Sequence, residues 1–125
     1  LGPLARVEDG EIRIEFAVPA EFEGFEGVVH GGIVGTILDE AFGFTCTRVH
    51  EIRGAVTVNL NLTFKAPVPT VTPIEVRARS AREGRKFHCS GEILDADGKV
   101  LAEATSLWIL PANQEASEKW VSEVF

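Results

Sequence analysis

The chain has little cysteine: Cys46 and Cys89 are the only two in 125 residues, and each sits in an apolar pattern. Thiols so placed read as reduced core residues of a cytosolic protein, not as a disulfide framework. With three histidines and no Cys/His spacing of the zinc type, no metal and no separate cofactor are expected. Basic charge is also scarce. Twelve Lys and Arg stand against nineteen Asp and Glu, a formal net charge of −7. That balance lacks the basic face that general nucleic-acid affinity needs, so no nucleic-acid partner is expected. It leaves open a local basic patch for a phosphorylated ligand. No apolar run approaches the ~18 residues of a bilayer span, so no membrane partner is expected either. No Ser stands in a Gly-x-Ser-x-Gly elbow. Leu1-Gly2-Pro3-Leu4, soon followed by Glu8 and Asp9, is unlike a signal peptide. The chain does not open on Met, which suggests trimming and leaves open a targeting segment ahead of Leu1. The expected location is cytoplasmic.

What is present is one domain's worth of core. Residues 1–125 read as a single domain, with the core at about 10–111 and residues 112–125 as a tail or short helix. The organising stretch is Val29-His30-Gly31-Gly32-Ile33-Val34-Gly35-Thr36-Ile37-Leu38-Asp39-Glu40-Ala41-Phe42-Gly43. It predicts a loop turning into a helix from about Gly31 to about Arg48, roughly 27 Å long at 1.5 Å per residue. Apolar residues cover most of its circumference, which predicts a buried core helix. Two carboxylates, Asp39 and Glu40, interrupt it, and acids are rarely buried without a partner or a task.

Around this helix the pattern is one of strands. Glu11–Val18 alternates strictly and stops at Pro19. Residues 20–29 read as a loop whose Phe22 or Phe25 is expected to tuck against core or ligand. Ala55–Phe64 alternates, with Val56, Val58, Leu60, Leu62 and Phe64 on one face and Thr57, Asn59, Asn61 and Thr63 on the other. Further strands are expected at Ile74–Arg79, Lys86–Leu94 and Val100–Leu110. A turn spans Ser80–Arg85, and an Asp-Gly hairpin joins the last two strands. Strand, helix and four sequential strands give an α+β layer, one helix against a mostly antiparallel sheet.

The residues carry chemistry of their own. Free N–H groups at the helix start favour negative charge, and Gly31 and Gly32 let a carbonyl approach closely. An oxyanion held there would gain about 2.7–4 kcal/mol per donor. The alternative is that the glycines only permit a tight loop-to-helix junction. Gly35 and Gly43 share the face of Asp39 and leave space for a ligand or a neighbouring helix. Asp39 fits a general base or a nucleophile. Glu40, about 100° around the helix, fits a structural acid or a substrate contact. His30 either caps the helix or touches substrate and a partner subunit. Arg82, Arg85 and Lys86 cluster around the Gly84 turn, where they could hold phosphate or be ordinary solvated charges.

His-Gly-Gly entering an apolar helix, the acid eight residues after the first Gly, and Thr57-Val58-Asn59-Leu60-Asn61-Leu62-Thr63-Phe64-Lys65-Ala66-Pro67 in a long strand together resemble the hotdog-fold acyl-CoA thioesterases. The nearest subgroup is the phenylacetate-degradation (PaaI-like) type. The resemblance runs from about Gly24 to about Ile109. It implies a hotdog fold, a central helix wrapped by a curved sheet. It also implies sheets joined edge to edge in a homodimer, further a homotetramer, with the site between subunits. The implied substrate is an acyl-CoA, CoA being part of the substrate rather than a cofactor. In this reading Asp39 is the catalytic acid, the Gly31 N–H polarises the thioester carbonyl, and His30 completes the motif. Thr57 matches a polar residue that functions in some relatives. Gly32, Glu40, Asn59, Arg82, Arg85 and Lys86 join Thr57 as expected substrate contacts. Where many relatives carry Asn or Gln ahead of the His, this chain has Glu23-Gly24-Phe25. A catalytically silent acyl-CoA-binding module would share these features. A hotdog dehydratase would not, since its usual His-containing signatures are unmatched.

Overall fold

A computed structural model describes residues 5–112 of the protein. The strands are β1 (Ala5–Glu8), β2 (Glu11–Phe16), β3 (Glu23–Phe25), β4 (Val28–Val29), β5 (Val56–Phe64), β6 (Ile74–Glu83), β7 (Lys86–Leu94) and β8 (Val100–Ile109). One helix, α1 (Gly31–Phe44), lies between β4 and β5 and runs on into a π-type turn at Thr45–Val49. Six strands form a sheet in the order β1-β2-β6-β7-β8-β5, antiparallel at every junction. The single helix packed on this sheet is the architecture expected from the sequence.

Several boundaries differ from the sequence reading. β1 and the small β3–β4 hairpin had no periodicity long enough to reveal them. β6 runs on to Glu83, so the turn before β7 shrinks to Gly84 and Arg85, with Gly84 at a positive φ of 61°. The expected tail, residues 113–125, lies outside the described residues.

The helix meets the sheet along a trough of small side chains. Ile12, Ala78, Gly91, Ala104 and Leu62 are direct neighbours across five strands. Phe42, fully buried, lies over this row. A Cβ on Gly91 would stand 3.0 Å from the Phe42 ring and 2.6 Å from the Arg77 carbonyl. The missing side chain is therefore what lets the ring reach the sheet. Val34, Ile37, Leu38 and Ala41 complete the packed face, against Ile14, Val76, Phe87 and Ile93 in the same core.

The other face of α1 corrects the expectation of a helix buried all round. Gly31, Gly32, Thr36, Glu40 and Thr47 are exposed, and Asp39 is half-buried. Counting apolar residues missed this because Gly and Thr leave a face open without making it charged. Of the two places expected for Phe22 or Phe25, the core is excluded: they are 41% and 81% exposed.

Candidate active site

The start of α1 is a capped helix N-terminus with one backbone donor left over among the described residues. His30 is the N-cap, and its Nδ1 accepts the Gly32 N–H at 3.0 Å. A ring nitrogen that accepts there leaves the proton on Nε2. The His30 carbonyl takes the N–H groups of Ile33 and Val34 at 3.0 and 3.1 Å. Of the first four helical donors, only the Gly31 N–H has no acceptor among the described residues. Gly31 is exposed, with the Phe64 ring against it. Gly32 serves differently from the expectation of a direct substrate contact. Its N–H is already used, and a Cβ there would crowd the His30 ring at 3.2 Å. The β3–β4 hairpin holds the cap in place: the Phe22 carbonyl accepts the His30 N–H at 2.9 Å. A Cβ on Gly24 would press on the His30 backbone at 3.2 Å. Glu23 accepts from the buried Thr70 hydroxyl at 3.2 Å, so one of its oxygens is committed to the fold.

Two turns into the helix, Asp39 Oδ1 accepts the Thr57 hydroxyl at 2.9 Å. Strict alternation put Thr57 on the face opposite Leu60 and Leu62, away from the helix. A bulge between Thr57 and Asn59 reverses that: Thr57 pairs with Trp108, and Asn59 with Leu107. One extra residue flips the parity of the strand. Thr57 now faces α1 together with Leu60 and Leu62, while Val58 is 54% exposed. Asn59 holds the bulge. Its Oδ1 accepts the Leu107 N–H at 3.1 Å, and its carbonyl accepts the Ser106 hydroxyl at 2.6 Å. That gives Asn59 a structural task; any substrate contact would come from its amide nitrogen.

Glu40 is exposed and has no hydrogen-bond or charged partner among the described residues, unlike a structural acid. Asp39 and Glu40 share a cleft of about 460 Å³ with Thr36, Gly43, Phe44, Trp108 and the 52–55 connector. Trp108 was not singled out from the sequence; as one of two tryptophans in the chain, on a strand, it had only its rarity to mark it. Cys46 reaches the same cleft. It is buried near Cys89, whose thiol is pushed up by the Cys46 thiol and by burial. Both thiols are free.

The basic turn is assembled but partly occupied. Arg82 Nε donates to the Gly84 carbonyl at 2.8 Å, and its guanidinium lies 5.5 Å from the Phe87 ring. Arg85 donates to the Leu110 carbonyl at 3.4 Å. Lys86 is exposed. Among the described residues, no three His, Cys, Asp or Glu gather as a metal site, and no helix is long and apolar enough to cross a membrane.

Gly31 and Asp39 do not converge within one chain. Eight residues of helix put them about 12 Å apart along the axis. Neighbouring positions follow β5 in the opposite sense: Gly31 lies at Phe64, Gly35 at Leu60 and Leu62, Asp39 at Thr57.

Known proteins resemble this chain. The chain is 40% identical over 89 residues to the acyl-coenzyme A thioesterase THEM4 of Mus musculus, covering 70% of this chain and 37% of that protein. The Bos taurus THEM4 is 40% identical over 90 residues, covering 70% of this chain and 35% of that protein. The chain thus spans about a third of the length of these relatives. Among solved structures, a phenylacetic acid degradation-related protein from Ralstonia eutropha JMP134 superposes with a TM-score of 0.72 at 30% identity, covering 86% of each chain. The E. coli PaaI protein has the same fold, with a TM-score of 0.74 at 18% identity over 85% of this chain and 76% of that one. The family model described as Thioesterase superfamily matches residues 26–102, which takes in β4 through the start of β8 with the capped helix and its carboxylates, and the chain belongs to that superfamily.

Proposed function

We propose that the chain hydrolyses acyl-CoA thioesters in a homodimer whose sites each join Gly31 of one protomer to Asp39 of the other. The observation that carries this reading is the pair of half-sites about 12 Å apart along one helix, each furnished and each incomplete. One has an unclaimed N–H at a helix N-terminus; the other has a carboxylate held by Thr57 through a single oxygen. β5 is an edge strand with a free outer side. Antiparallel pairing of two β5 strands about Leu60 and Asn61 sets Thr57 of one protomer opposite Phe64 of the other. That brings Asp39 of one chain to Gly31 of its mate. The family's thioesterase relatives support the same chemistry.

In this site the thioester carbonyl oxygen accepts the Gly31 N–H, aided by the positive end of the helix dipole. Asp39 Oδ2 takes a proton from water as the water oxygen adds to the carbonyl carbon. The C–S bond then breaks, and the departing sulfur takes the proton from Asp39. A direct attack by Asp39 would pass through an anhydride that water then opens, with the same products. Water is the only co-reactant, so no cofactor is required. Arg82, Arg85 and Lys86 are assigned to the CoA phosphates, two homodimers pair into a tetramer, and a cytoplasmic location suits the two unpaired thiols.

Mixed dimers test the composite site. Gly31→Pro removes the N–H where the helix tolerates it, because Gly31 is the first helical residue, where Pro is favoured. His30 precedes it at ψ 135°, which a following Pro accepts. Gly31→Pro and Asp39→Asn are each expected to be nearly inactive. Refolded together, they should recover about a quarter of normal turnover, since half the dimers then carry one intact site. No recovery in mixed dimers of an otherwise active enzyme overturns the shared site. Acyl-CoA binding without turnover in the unaltered protein would make it a silent binding module.

A further inference from the structure

We infer that the cleft between the second half of α1 and Trp108 takes the acyl group, that Gly43 and Trp108 set its depth, and that Glu40 restricts it to acyl groups without a terminal carboxylate. This rests on the thioesterase reading and adds the substrate class. The cleft opens at Asp39, where the reacting carbon would lie, and is bounded by Phe44, Ile52, Ala55 and Trp108. Its two threonines are spent on the helix: Thr36 donates to the Gly32 carbonyl at 2.9 Å and Thr47 to the Gly43 carbonyl at 3.3 Å. A hydroxyl turned back on its own helix contributes its methyl group to the wall. Among the described residues, the side-chain polar groups left on the cleft are thus the carboxylates of Asp39 and Glu40 and the indole N–H of Trp108, which has no partner.

The volume fixes the size of guest. An apolar cavity of about 150 Å³ holds a benzene ring. A cleft of about 460 Å³ suits a medium straight chain or an arylacyl group, well beyond acetyl. Its depth depends on a residue that is missing its side chain. A Cβ on Gly43 would meet Trp108 Cη2 at 3.2 Å and Cζ3 at 3.8 Å, so any larger residue there narrows the gap between helix and indole. The charge rule follows from the lining. Among the described residues, no Lys or Arg lines the cleft. Arg48 stacks on Phe44 at 4.8 Å and donates to the Ala5 carbonyl at 3.2 Å, and Arg53, between the lining residues Ile52 and Gly54, does not itself line it. A second carboxylate on the acyl chain would enter beside Glu40 with no counter-charge on the wall.

The test is kcat/KM for butyryl-, hexanoyl-, octanoyl- and dodecanoyl-CoA, with adipyl-CoA as the charged counterpart of hexanoyl-CoA. One methylene in an apolar pocket is worth about 10- to 200-fold. The unaltered protein should therefore prefer octanoyl to butyryl, and hexanoyl to adipyl, by about ten-fold or more. Gly43→Val should cut the octanoyl-to-butyryl ratio by about ten-fold or more. Trp108→Leu should move the optimum to a longer chain. Glu40→Gln should raise the adipyl-to-hexanoyl ratio several-fold. If Gly43→Val does not fold, Gly43→Ala and Trp108→Leu carry the length test. An active enzyme whose length ratios stay fixed in these variants overturns the assignment of the cleft. A charge ratio unmoved by Glu40→Gln overturns the role of Glu40. If the unaltered protein turns over none of these esters, the hydrolase reading fails, and titration of octanoyl-CoA against butyryl-CoA judges the cleft alone. A length preference in binding that Gly43→Val removes would uphold it, and equal affinities would sink it.

Discussion

The two sides of α1 use small residues in opposite ways. Toward the sheet the small residues belong to the strands, and a large helix residue fills the space: Phe42 rests in the trough of Ala78, Gly91 and Ala104. Toward β5 and the cleft, the small residues belong to the helix. Gly31, Gly35 and Gly43 recur at every fourth position with Asp39 among them, against Phe64, Leu60, Leu62 and Trp108. Space filled from within the chain produces stability. Space left beside a carboxylate and an unclaimed N–H is, in the proposed site, room for a guest and a mate. The contrast is sharpest in what a single added methyl would do on each side.

The largest expected effect is on turnover. Asp39→Asn keeps shape and can still bond Thr57, but loses charge and basicity. We expect kcat to fall by about 10²–10⁴-fold, with acyl-CoA binding retained in titration calorimetry and the melting temperature little changed. Near-normal turnover, with Glu40→Gln inactive, would move the catalytic role to Glu40. Next is Gly31→Pro, which should cost about 10²–10³-fold in kcat, the value of one oxyanion donor. Gly31→Ala keeps the N–H and meets Phe64 at an ordinary 3.4 Å, so steady-state kinetics should show a clearly smaller loss. Equal losses in both would assign Gly31 to packing.

On the packed side, Phe42→Ala should cost about 3–5 kcal/mol in urea denaturation. Gly91→Ala should destabilise by about 1–3 kcal/mol through overpacking against the Arg77 carbonyl. Gly35→Ala is the mirror experiment. Its Cβ would find Leu62 at 3.6 Å and Leu60 at 3.8 Å, and Ala gains about 0.8–1.0 kcal/mol over Gly in a helix. A small rise in stability is expected; a loss as large as that of Gly91→Ala would erase the distinction between the two sides. The smallest effect belongs to the basic turn. Replacing Arg82, Arg85 and Lys86 should raise KM for CoA esters more than it lowers kcat, because groups on the non-reacting nucleotide mainly give uniform binding. An unchanged KM would leave those residues as a solvated turn.

Much of this was legible in the residue order. His-Gly-Gly before an apolar stretch located α1, and alternation located β2, β5, β7 and β8. Asp39 stood out because an acid in such a helix needs a reason. What stayed hidden depended on partners far away in sequence. The bulge that turns Thr57 toward Asp39 is held by Ser106 and the Leu107 N–H, about fifty positions on, and perfect alternation in Val56–Phe64 argued against it. Strands of two or three residues, such as β3 and β4, carry no readable period. The open face of α1 was hidden because Gly and Thr are compatible with either environment.

The bulge at Val58 has a consequence for how this chain meets copies of itself. Val-Thr-Val-Asn-Leu-Asn-Leu-Thr-Phe is a nine-residue edge strand, uncharged and rich in β-formers. Such an edge can template open-ended strand addition and fibril growth. A bulge bends its strand and increases the local twist, so a flat incoming strand would lose register near residue 58. A strand bent at the same place and turned by a two-fold axis would still fit, and a two-fold contact uses up both edges at once. Deleting Val58 would remove the bulge and straighten the edge while leaving Thr57 on the helix side, since Thr57 and Asn59 already pair with the consecutive residues Trp108 and Leu107. In the proposed dimer, the residue that looks least useful in β5, exposed and unpaired, would thus separate a strand that closes on one partner from one that recruits without limit.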